Sequence, residues 1–228
     1  LKHFLILILI IIYIFSPNVS FAGVVIGGTR VVYNSDRKEA SISITNPETD
    51  VSYLIQSWVQ GENDETKVPF IITPPLFKLT AGNETVLRIV KTGDNFPNDR
   101  ESLFWLNVKS IPAIVKSEQN QLQITVKSKF KLFYRPADLA DNASFAYKAL
   151  KFKIEGHQLT AENPTPYYVS FSYLIIGNSS KIHEIQPAGM IAPFGQLSWD
   201  IPIKNINYVS WKTINDFGGV TPEEKHTF

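Results

Sequence analysis

Residues 121–136 run an apolar strand face up against fixed positive charge. Gln121-Leu122-Gln123-Ile124-Thr125-Val126 alternates polar and apolar, as a half-buried strand does. Lys127, Lys129 and Lys131 follow, then Leu132-Phe133-Tyr134-Arg135-Pro136, and Arg30 supplies a further cation upstream. Such a segment can pair with an extended peptide through its backbone while a cation holds that peptide's carboxylate. Alternation does not say which apolar face points inward. Leu122, Ile124 and Val126 therefore suit either the core of their own domain or a groove on a partner.

Three other charged residues lie beside aromatic or apolar runs. Glu101 precedes Ser102-Leu103-Phe104-Trp105, Arg135 sits between Tyr134 and Pro136, and Asp216 is followed by Phe217-Gly218-Gly219. Buried charges need partners, so the three are either one ionic network or three independent surface charges. Catalytic chemistry is poorly represented. His157, His183 and His226 share no metal-ligand spacing. There is no nucleophile elbow, phosphate loop or dinucleotide fingerprint. Gly27-Gly28-Thr29 is too short to cradle phosphate and reads as the start of a strand. No cysteine is present, which removes thiol catalysis, redox pairs and thiolate zinc sites. No metal, cofactor or enzymatic activity is expected. A formal net charge of +1 argues against a nucleic-acid footprint.

The elements that must position these residues are strands. Short apolar runs recur at 29–33, 40–45, 53–59, 84–90, 103–110, 122–133, 150–154, 167–176, 195–201 and 208–214. Turn signals separate them, including Asn46-Pro47, Pro74-Pro75, Ala81-Gly82-Asn83, Gly177-Asn178 and Gly218-Gly219. Helical periodicity is nearly absent. The spacing predicts an all-β chain of two β-sandwich domains, 23–137 and 138–228, joined by a linker at 136–142. Residues 1–22 read as a secretory signal peptide. Lys2 precedes an apolar run from Phe4 to Phe15, and Ser20-Phe21-Ala22 offers a cleavage site.

The chain resembles the periplasmic pilus-assembly chaperones of the chaperone–usher pathway. The resemblance is carried by residues 96–112, with Glu101-Ser102-Leu103 and Asn107-Val108-Lys109-Ser110-Ile111-Pro112. It extends to Ile72-Thr73-Pro74-Pro75, Lys131-Leu132-Phe133-Tyr134-Arg135-Pro136, Glu162-Asn163-Pro164-Thr165-Pro166-Tyr167-Tyr168 and Ile214-Asn215-Asp216-Phe217-Gly218-Gly219. The short segment 113–120 resembles the short-loop branch, which builds rod-like pili.

That resemblance implies a periplasmic chaperone, working without ATP, with a cleft between two immunoglobulin-like β-sandwich domains. It implies that Arg30 and Lys131 anchor the terminal carboxylate of a pilus subunit. Leu122, Ile124 and Val126, on a donor strand 121–131, would fill the subunit's open groove. Glu101, Arg135 and Asp216 would form the interdomain ionic network. The implied partners are pilus subunits and an outer-membrane usher, with self-association through the exposed donor strand a further expectation. Because strict alternation sets Lys131 on the face opposite Val126, the anchor is expected to need twist, a bulge or a bend. Many relatives carry a cysteine pair in the second domain, and its absence here predicts a less constrained C-terminal end. The alternative is a secreted immunoglobulin-like adhesin or structural pilus component.

Overall fold

A computed structural model of the chain describes residues 23–63, 67–113, 122–202 and 205–228. The signal peptide read at 1–22 lies outside the described residues, as do Gln121 and most of the short loop at 113–120.

Two separate hydrophobic cores organise the chain. The first is enclosed by two sheets. One contains β1 (Val25–Ile26), β3 (Ala40–Thr45), β7 (Glu84–Lys91) and β5 (Phe70–Thr73), in that order. The other contains β2 (Arg30–Asn34), β9 (Val126–Arg135), β8 (Ser102–Pro112), β4 (Tyr53–Gly61) and β6 (Leu76–Leu79). Alternation drives the layering. Ile42 and Ile44 of β3, Leu87 and Ile89 of β7, and Ile55 and Val59 of β4 are buried, while residues between them face outward.

The second core has the same plan. β10 (Lys151–Glu155), β11 (Gln158–Glu162) and β15 (Gln196–Asp200) form one sheet. β13 (Ile182–Glu184), β12 (Val169–Gly177), β16 (Tyr208–Thr213) and β17 (Glu224–Thr227) form the other, with β14 (Met190–Ile191) also on β12. Leu159, Leu174, Ile176 and Val209 are fully buried between them.

The structure amends the sequence reading in several places. The segment after β9 is not plain linker: 3-10 helices occupy Ala137–Leu139 and Ala143–Ala149, and Tyr147 enters the second core. β5 and β6 escape periodicity because each is only four residues long and Pro74-Pro75 divides them. The C-terminal end is constrained despite the missing cysteines. β17 pairs with β16 from Glu224 opposite Trp211 to Thr227 opposite Tyr208. Its Glu-Lys-His-Thr sequence shows no alternation, and these charges suit a sheet edge.

Gly27-Gly28 does not begin a strand. It is the point where the chain changes sheets: β1 pairs with β3, whereas β2 pairs with β9. The Gly27 amide donates to the Ser43 carbonyl, and a Cβ on Gly27 would press into the Ser43 side chain. A larger residue there would have to displace the Ser43 hydroxyl. The crossing limits β2 to five residues beside a ten-residue β9. β2 lies parallel to β9 and covers it from Lys131 to Arg135; among the described strands, none covers the rest of that edge.

Candidate functional site

β9 sorts its side chains by parity. Leu132 and Tyr134 are buried in the first core, so residues of even number share that face. Lys127, Lys129, Lys131, Phe133 and Arg135 lie on the other. Pairing with β8 runs from Val126 to Tyr134 without a register shift. Of the twist, bulge or bend expected near the anchor, the bulge is absent. None is needed, because Arg30 lies directly beside Lys131 in the parallel register. A group arriving in line with β2 reaches both cations in the plane of the sheet.

Groups of the second core hold those cations. Lys131 Nζ donates to Ser170 Oγ at 3.0 Å, and Arg30 Nη1 donates to the Ile214 carbonyl at 2.9 Å. Ser170 and Ile214 are themselves joined, the Ile214 amide donating to the Ser170 carbonyl at 2.9 Å. The Arg30 guanidinium lies 5.7 Å from the Phe133 ring centre, and its buried Nε has no acceptor. Two adjacent, partly buried cations with an unused donor form a site for an anion.

Burial, then the charge of Arg30, pushes the Lys131 ammonium down to about 8 from 10.5. Burial also lowers Arg30, against the pull of Asp216 and Glu101. The unliganded protein therefore bears a cost for charged Lys131 at and below pH 8. That cost is relieved as the pH rises from about 8 toward the ordinary lysine value.

Glu101, Arg135 and Asp216 meet. Arg135 Nε donates to Glu101 Oε1 at 2.7 Å. Its Nη1 and Nη2 donate to the two oxygens of Asp216 at 2.6 and 2.8 Å. The second Glu101 oxygen accepts from the Tyr168 amide at 2.8 Å. Side-chain exposure is 2% for Glu101, 6% for Arg135 and 39% for Asp216. Burial would lower the Arg135 pKa, but bonds to Asp216 and the charges of both carboxylates raise it. Burial raises Glu101, opposed by Arg135 and the Tyr168 amide. Gly218, at φ +83°, brings the same loop onto the Thr29 hydroxyl, beside Arg30. The reading of these three as independent surface charges is thus overturned.

Leu122, Ile124 and Val126 are 88%, 66% and 53% exposed, which rules out the core-packing alternative for all three. The strand itself begins later than expected, at Val126. In the β8 register Ile124 would stand opposite Pro112, which has no amide to donate, and the ladder stops. Residues 122–125 continue outside any strand, tied back by Gln123 Nε2 donating to the Pro112 carbonyl at 2.7 Å.

Ser170 and the Ile214 carbonyl were not singled out from the sequence. A small polar residue interrupting the apolar run 167–176 is the one signal that could have marked Ser170. Beside Lys131 the walls of the two cores enclose a cleft pocket of about 800 Å³, lined by Trp105, Phe171, Tyr173 and Met190.

The arrangement, an uncovered strand edge ending at two cations between two sandwiches, agrees with the comparisons. Residues 23–140 match the family described as "Pili and flagellar-assembly chaperone, PapD N-terminal domain". Residues 145–225 match "Pili assembly chaperone PapD, C-terminal domain". The chain belongs to the pilus-assembly chaperone family. It is 40% identical over 216 residues to chaperone protein LpfB of Salmonella typhimurium, covering 92% of this chain and 90% of that protein. It is 39% identical over 205 residues to chaperone protein FimC of Escherichia coli K12, covering 89% and 83%. Among solved structures, the YadV chaperone superposes with a TM-score of 0.79 at 36% identity, covering 91% of this chain and all of that one. A structure of Salmonella enterica SafA pilin in complex with the SafB chaperone also matches, with a TM-score of 0.82 at 29% identity. It covers 92% of this chain and 99% of the matched chain. Chaperones of this family are non-catalytic.

Arg135→Ala leaves Glu101 buried without its cation and should cost about 3–5 kcal/mol. Asp216→Asn, at a more exposed position, should cost about 1 kcal/mol. Urea unfolding of both variants checks the ranking; equal, small losses would contradict it.

Proposed function

We propose that this chain is a periplasmic chaperone that binds, folds and caps pilus subunits by lending them β9, then delivers them to an outer-membrane usher. No nucleotide drives the process. The first domain, 23–137, supplies the strand, and the second, 138–228, backs the anchor. The observation that carries the reading is the half-covered β9. An incomplete sandwich exposes an open groove and unpaired edges, both of which promote aggregation. The uncovered edge of β9 satisfies the backbone of such a partner. Leu122, Ile124 and Val126 enter its groove in alternation.

Arg30 and Lys131 set the direction of pairing. They stand where β2 begins on the β9 edge. A subunit strand added ahead of β2 and parallel to β9 ends there, with its C-terminal carboxylate against both cations. An antiparallel strand would bring a terminal amine to the same place, and like charges would repel it. The carboxylate also fixes register, so each apolar side chain meets one pocket. The reading as an adhesin or structural component is displaced by family matches that span both sandwiches.

Ile124→Asp tests the donor role. Exposed in the free protein, Ile124 should tolerate the change with a melting temperature within about 3 °C of wild type. Subunit affinity should fall by about 100-fold or more, since a charge must then be buried in an apolar groove. Thermal melting beside a pull-down of a tagged subunit measures both. Full binding by the folded variant would contradict the assignment.

The Lys131 ammonium adds a pH dependence. A bound carboxylate raises its pKa, so binding takes up a proton where the free ammonium has begun to lose its own. Subunit affinity should be flat below about pH 7 and fall as the pH rises above about 8, by at most about tenfold per pH unit. Lys131→Arg should abolish the decline. Calorimetric titrations from pH 7 to 9 give the profile, and an unchanged wild-type affinity would contradict anchoring by Lys131.

A further inference from the structure

The face of the sheet that carries Lys131 holds a pair of opposed lysines beyond the anchor. Lys109 of β8 stands directly opposite Lys127 of β9 in the antiparallel register. Like charges directly opposed across a ladder destabilise it. Across the sheet, the row through Lys127 continues with Lys109, Gln56 and Leu76. The neighbouring row contains Lys129, Asn107 and Trp58. The row through the anchor contains Arg30, Lys131, Trp105 and Gln60. No acidic residue occurs in these three rows, although the whole chain is nearly balanced at +1. Among the described residues, neither Lys109 nor Lys127 is in an ion pair. Lys127 Nζ lies 5.2 Å from the Trp58 ring centre, which keeps its stem along the sheet and its charge at the surface.

The geometry points to an acidic side chain on the incoming subunit strand, set beside Lys127 and Lys109, as a specificity contact separate from the carboxylate anchor. This rests on the proposed lending of β9. A strand added to the uncovered edge becomes the next member of every row. Its side chains then alternate between the groove face, with Val126, and the cationic face, with Lys127. The row through Lys127 thereby receives one residue from the partner, adjacent to a lysine pair that has no ion-pair partner among the described residues. Glutamate or aspartate there relieves the Lys109–Lys127 repulsion, and lysine or arginine adds to it. Selectivity comes as much from excluding basic strands as from attracting acidic ones. The surface is continuous with the anchor, and its charge names the chemistry of the occupant.

Three synthetic twelve-residue peptides test this. Each has valine at alternate positions and a free C-terminal carboxylate, and the intervening positions are all glutamate, all threonine or all lysine. Amidated versions of all three serve as controls. Wild-type protein should bind the glutamate peptide about fivefold more tightly than the threonine peptide, and the lysine peptide about fivefold more weakly. The spread should shrink to about twofold or less in 0.5 M salt. The double variant Lys109→Glu with Lys127→Glu should reverse the order, and both positions are on the surface, so the fold should persist. Equal affinities for the three free-acid peptides, or an order unchanged in the double variant, would overturn the contact while leaving the anchor intact. Indifference to amidation would instead overturn the anchor. Equal peptide affinities together with binding to phosphatidylglycerol vesicles that the double variant loses would assign the face to lipid and overturn the proposal.

Discussion

A ten-residue strand with a five-residue neighbour is the constraint on which the rest depends. β2 is short because the chain crosses between sheets at Gly27-Gly28, where a Cβ would displace the Ser43 hydroxyl. Had β2 continued upstream on the same sheet, it would have covered the edge of β9 and removed the place for a partner strand. An exposed edge is normally a liability in a secreted β protein. Under the proposed function, the cations at its inner end make it selective for a strand that ends there in a carboxylate.

That selectivity depends on the second core. Arg30 and Lys131 belong to the first sandwich, yet they bond to the Ile214 carbonyl and to Ser170 of the second. The Arg135 network, with the Gly218 contact on Thr29, brings those acceptors into place. Replacing the network with apolar side chains could leave stability unchanged, since buried ion pairs often contribute little net stability. Geometry is the better account of why charges stand there. Arg135 is planar and engages two carboxylates in fixed directions, one on each side of the junction.

Much of this was legible in the sequence, for physical reasons that differ by residue. Alternation in β3, β4 and β7 reports a half-buried strand directly, so the all-β sandwich reading follows from those elements. Resemblance, not periodicity, brought Glu101, Arg135 and Asp216 together, because residues separated by more than thirty positions carry no spacing signal. β5, β6 and β17 were illegible for want of length or of apolar residues. The start of β9 was placed too early because alternation continues through 122–125 although Pro112 ends the ladder opposite. Ser170 and the Ile214 carbonyl escaped notice because one is a common side chain and the other is backbone.

The central claim is that the partner pairs in parallel with the uncovered edge of β9 and ends at Arg30 and Lys131. Hydrogen exchange of the chaperone with and without a bound subunit tests it most directly. The account predicts new protection of β9 amides upstream of Lys131, with no gain at residues 132–135, which β2 already covers. That protection should disappear when the subunit's C-terminal residues are removed. Protection confined to the second sandwich, or unaffected by that truncation, would contradict it.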